Sequence, residues 1–180
     1  TERTGNLKFY DASANTVTTI GTLNVTTTSD CGFTGIVLSP DFEQSSWIYL
    51  FYCDPDASPQ GYRISRFTLA DHQLDMDSEK RILEAEGRYG THGHNGASMR
   101  FDICGDLWIA FGKNCTDDRN SINENDNAEW LSCENSSSST ASVRGGIARI
   151  HPIPFPDSET PEPGIGSTYS IPKGNFGDYF

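Results

Sequence analysis

Positive charge is scarce in this sequence. Thirteen Lys and Arg stand against 25 Asp and Glu, a net charge of −12. Such a chain repels phosphate backbones and anionic membrane surfaces, so nucleic-acid and peripheral membrane partners are not expected. No apolar run approaches the ~20 residues that cross a bilayer. No secretory leader is visible, so a secreted chain would be expected here in mature form. Cys-x-x-Cys pairs and Cys/His clusters are absent, which removes zinc and dithiol chemistry. So are a phosphate loop and a Ser-His-Asp order. Long helical periodicity is missing too.

What is present suits strands. Gly, Pro, Ser, Thr and Asn are abundant, and hydrophobic residues make up 35% of the chain. Many short strands joined by turns are expected from that composition. Leu7–Asp11 and Thr16–Leu23 read as a first strand pair. Phe33–Leu38, Trp47–Cys53, Arg63–Leu69 and Lys80–Ala85 read as a four-strand meander. Ala97–Asp102, Leu107–Gly112 and Gly146–His151 begin another. Arg63–Leu69 alternates polar and apolar, whereas Trp47–Tyr52 is apolar on both faces, as in a strand covered on both sides. Four-strand units in series are the rhythm of β-propeller blades. The expected fold is therefore all-β, with residues 1–180 forming part of a single propeller domain of about 2.5–3 blades. Two long loops interrupt it, 114–142 and the proline-bearing 152–167.

Cysteines and sequons point to an oxidising, extracellular setting. Cys31 and Cys53 flank two strands joined by a short turn and fall roughly opposite each other, which suits a disulfide. Cys115 and Cys133 bracket the polar insertion and could staple it. Cys104 is left over, either a buried thiol or one with a partner outside the chain. Asn24-Val-Thr, Asn114-Cys-Thr and Asn135-Ser-Ser are glycosylation sequons. The acidic segment Asp117–Glu129 offers Asp117, Asp118, Asn123, Asn125 and Asp126 as oxygen donors. It lacks the calcium-loop order of acids, Gly and terminal Glu, so a solvated polar loop is the simpler reading.

The chemistry concentrates in Thr91–Asp106, where His94-Asn95-Gly96-Ala97 forms a glycine-rich turn ahead of a strand. A histidine there can titrate near neutral pH and accept a substrate proton. More often such a histidine is a hydrogen-bonded loop residue. His92 is the alternative if the register slips by two.

The order of the surrounding segments adds weight. GFTGIVLSPDFEQSSWIYLFYCDP (32–55), YRISRFTLADHQLDMDSEKRILE (62–84), HNGASMRFDICGDLWIAFG (94–112), VRGGIARIHP (143–152) and YSIPKGNF (169–176) resemble, in order, the motifs of the soluble glucose/sorbosone dehydrogenases. These are quinoprotein β-propellers that use pyrroloquinoline quinone (PQQ) and calcium. The resemblance implies that His94 is the general base taking a hydroxyl proton from a sugar or small alcohol while hydride passes to PQQ. It also implies that Asp30, where the family carries Glu or Gln, lies near the quinone as a cofactor-binding residue. A turn residue is the equal alternative for Asp30. The family's calcium ligands belong to later blades and are not identifiable in this chain. The remaining blades would come from the same or another chain, and the segment alone is expected to be inactive. The chain departs from the family pattern at Gly112-Lys113, Arg144-Gly145-Gly146 and Ile103-Cys104-Gly105-Asp106. A second reading follows: a non-catalytic extracellular glycoprotein using a degenerate propeller for structural assembly or adhesion.

Overall fold

A computed structural model describes residues 1–58, 60–87, 93–114, 143–153 and 168–172. Among these residues the chain forms ten strands and one helical turn. β1 (Asn6–Asp11) and β2 (Thr16–Thr22) make a two-stranded sheet. β3 (Phe33–Leu38), β4 (Trp47–Asp54), β5 (Gly61–Ala70) and β6 (Gln73–Glu86) follow as an antiparallel meander, with α1 (Phe42–Ser45) between β3 and β4. β7 (Ala97–Phe101), β8 (Leu107–Phe111), β9 (Ile147–Pro152) and β10 (Tyr169–Ser170) form a second four-stranded sheet in the order β10-β9-β8-β7.

The turns explain the hairpins. Asp11 Oδ1 accepts the Ser13 N–H at 2.8 Å and the Ala14 N–H at 3.2 Å, and Asn15 takes positive φ. This side-chain-closed turn joins β1 to β2. Ala70 pairs with Gln73 across Asp71-His72, both of which have positive φ. That is a two-residue hairpin, whose twist matches that of the strands when both central residues are left-handed.

β4 is the centre of the core. Its even-numbered side chains Ile48, Leu50 and Tyr52 pack with Leu7, Ile20 and Phe67 beneath the β1–β2 sheet. Its odd-numbered Tyr49, Phe51 and Cys53 pack with Leu107, Ile109, Phe111 and Ile150 of the β7–β10 sheet. The strand's period of two thus serves two interfaces at once, as its two-faced apolarity predicts. Phe51 stacks on Tyr62 at 5.3 Å and meets Phe111 edge-on at 5.8 Å, tying the two larger sheets together. β3 and β7, the edge strands, lie side by side across this interface. Within the first of these sheets Gly35 leaves room for its β4 partner: a Cβ there would sit 2.9 Å from the Phe51 Cβ.

The Cys31–Cys53 disulfide is present, with Cα atoms 5.6 Å apart. It pins the loop before β3 to the end of β4.

Candidate active site

Residues 93–96 lead into β7, and three parts of the chain hold them. His94 is exposed and takes a left-handed conformation, φ +60°. Its backbone N–H donates to Asp30 Oδ2. Its carbonyl accepts the Asn114 N–H at 3.2 Å, and Gly96 O accepts the Gly112 N–H at 2.8 Å. Gly112 has to be glycine here, because a Cβ would fall 1.8 Å from the His94 carbonyl oxygen. The turn is therefore bonded to the segment that follows β8, while His94 stays exposed.

Asp30 comes from the loop between β2 and β3. Arg3 fixes that loop: its Nε donates to Cys31 O at 2.8 Å, and its Nη2 donates to the carbonyls of Thr27 and Ser29. The neighbouring disulfide holds the same segment. The His94 N–H keeps the Asp30 carboxyl below the usual carboxylate range; the Ser29 hydroxyl, the charge of His94 and the Asn95 N–H act in the same direction. A carboxylate that accepts several N–H and O–H donors is favoured in its ionised form. The two residues that sequence alone had singled out separately, Asp30 and His94, thus meet.

Beneath them Asn95 is buried, 1% exposed. Its Oδ1 accepts both the Tyr62 hydroxyl and the Asn114 amide. Sequence reasoning missed Asn95 and Tyr62. An Asn beside glycine looks like a turn former, and a Tyr at the start of an alternating strand looks like core. The only signal was adjacency to His94.

The other candidates are scattered. Asn24 is exposed, and its amide donates to Asp56 Oδ2 at 3.0 Å. Asn114 is fully buried. Cys104 is an exposed free thiol on the turn between β7 and β8, which corrects the buried-thiol alternative: Asp102 Oδ1 accepts its N–H and closes the turn outward. His92, Cys115, Cys133, Asn135 and the acidic segment 117–129 lie outside the described residues.

Among the described residues no group of three or more His, Cys, Asp or Glu could hold a metal. The acidic Asp30 beside the turn offers no charge complement to a tricarboxylate quinone. The described residues thus fit neither calcium nor a complete quinone site. Among them, no helix is long and apolar enough to cross a membrane.

The sequence profile of Glucose / Sorbosone dehydrogenase matches residues 1–152. The chain belongs to that family. Solved structures of similar fold include a PQQ-bound aldose sugar dehydrogenase from Streptomyces coelicolor, 19% identical, with TM-score 0.60, covering 93% of this chain and 43% of that one. The soluble aldose sugar dehydrogenase of Escherichia coli, in its apo form, is 22% identical with TM-score 0.61, covering 95% and 47%. A third, a glucose dehydrogenase, is 24% identical with TM-score 0.61, covering 83% and 42%. At these identities the likeness establishes the fold: the antiparallel sheets are β-propeller blades. The chain spans under half the length of these structures, so its propeller is incomplete.

Proposed function

We propose that this family member is the base-carrying part of a secreted quinoprotein that oxidises a sugar or small alcohol. The observation that carries the reading is the exposed His94 on a turn clamped by Asp30 and Asn114. In this reading the His94 imidazole takes the hydroxyl proton while the carbinol C–H bond breaks. PQQ, held elsewhere in the full propeller, would supply the two-electron acceptor for the departing hydride. A base of this kind needs a fixed ring within hydrogen-bond reach of the hydroxyl, which a clamped turn supplies. Later blades of the propeller, where the family carries its quinone- and calcium-binding residues, would hold both groups.

The chain would contribute about 2.5–3 blades to a single propeller domain. Exposed apolar side chains on both end faces support further blades from the same or another chain. Trp108 and Ile147 lie on the outer face of the β7–β10 sheet, and Tyr10 and Val17 on that of β1–β2. Alone, the segment would be inactive. The disulfide fits an oxidising, extracellular compartment.

One observation favours the structural alternative, an assembly or adhesion glycoprotein. Lys113 places a base after Gly112, where the family carries an acid. The deciding experiment reconstitutes the full-length protein with PQQ and calcium and follows aldose oxidation with an artificial acceptor. Turnover supports the enzyme; absence of quinone binding supports the structural reading.

A further inference from the structure

Below the His94 turn lies a polar junction that proton abstraction itself does not use. Three side chains from separate segments meet there: Asn95, Tyr62 of β5, and Asn114 just after β8. The hydroxyl of Tyr62 and the amide of Asn114 converge on one oxygen, Asn95 Oδ1. All three side chains are buried, Asn114 completely. The Tyr62 ring is itself held against Phe51 and Phe111, with centroids 5.3 and 6.4 Å away. Asn114 acts twice, since its backbone N–H also reaches the His94 carbonyl. The position of His94 is thus linked through one amide to the aromatic core between two blades.

We propose that Asn95 is a positioning residue for His94, with Tyr62 and Asn114 as its anchors. Asn114 consequently carries no carbohydrate, although it heads a sequon. The nitrogen that a glycan would occupy is the atom donating to Asn95, and it is sealed from solvent. Asn95 touches no reacting atom and acts only by fixing the turn. The proposal rests on the reading of His94 as the base, and its test separates the two.

The test uses the full-length protein as wild type, Asn95→Leu, Asn95→Asp and Tyr62→Phe. Amide hydrogen exchange at residues 94–96 is read beside steady-state kinetics. Asn95→Leu keeps the branching at Cγ but offers no acceptor. It should speed exchange at 94–96 by at least about tenfold while β4 and β5 amides stay protected. It should lower kcat by roughly 10²-fold, the cost of a misplaced group, with KM little changed. Asn95→Asp keeps an acceptor for both donors and should restore both readouts towards wild type. Tyr62→Phe removes one donor but keeps the ring, so it reports even if Asn95→Leu fails to fold; it should give a smaller change in the same direction.

Wild-type exchange at Asn95→Leu, or at Tyr62→Phe if the Leu variant does not fold, overturns the proposal. So does a glycan on the tryptic peptide bearing Asn114. If the wild type binds quinone but oxidises no sugar, the catalytic reading fails. Protected 94–96 amides, released in Asn95→Leu, would then still establish the anchoring of the turn.

Discussion

The Asp30 carboxylate accepts the backbone N–H of His94 across 64 positions of sequence. The loop before one blade thereby grips the turn that opens the next. Asp30 holds the backbone that carries the imidazole, and the imidazole stays at the surface. Asp30→Asn keeps an acceptor in place and should retain most activity of the full-length protein. Asp30→Ala deletes it and should lower kcat by about tenfold, the scale of a lost charged hydrogen bond. Equal activity in Ala and wild type would show that the contact does not matter to turnover.

That contact also sets a pH dependence. The Asp30 pKa is depressed in the folded protein. Its contribution is therefore fully present above the unfolded carboxylate value of about 3.9, and is lost as pH falls through the lower folded value. Amide exchange at His94, corrected for intrinsic rates, should stay protected from neutral pH down to about 4 and rise below it. Loss of protection near pH 6 would point to another group.

Both cysteines of the Cys31–Cys53 bridge are fully buried. Replacing the pair with Ala should lower stability by about 3 kcal/mol, the scale for a loop of this length. A thermal melt of full-length wild type and double variant checks it. An unchanged melting temperature would mean that packing alone holds the loop.

Phe51 joins the two larger sheets. Phe51→Ala should cost about 3–5 kcal/mol, because the aromatic contacts with Tyr62 and Phe111 are lost together. Denaturant titration of the full-length protein gives the value.

Asn24 is the sequon side chain that the described residues leave exposed. Carbohydrate is expected there in a secreted preparation. Peptide mapping before and after deglycosylation reads it, and an unmodified Asn24 would remove one support for secretion.

Strand rhythm made most of the architecture legible. Phe33–Leu38 coincides with its expected span, and the meander order β3 to β6 is as expected. β4 was visible because both its faces are apolar. The first half of β6 was not. Gln73–Glu79 is mostly exposed and polar, so no apolar alternation marked it, and its turn is Asp-His rather than Asn-Gly. β10 is two residues long and too short for any pattern. At the candidate site, motif order singles out His94 and Asp30 but not their contact, because nothing local encodes a bond between loops of different blades. Asn95 was invisible for the opposite reason: its burial depends on Tyr62 and Asn114, which no spacing connects to it.

The most direct test concerns His94 itself. Full-length wild type and His94→Gln are reconstituted with PQQ and calcium, and aldose oxidation is followed across pH with an artificial acceptor. The account predicts that His94→Gln binds quinone normally but turns over roughly 10²–10⁴-fold more slowly, with the acid limb of the wild-type pH profile abolished. Wild-type turnover with an unchanged pH profile in His94→Gln would contradict it.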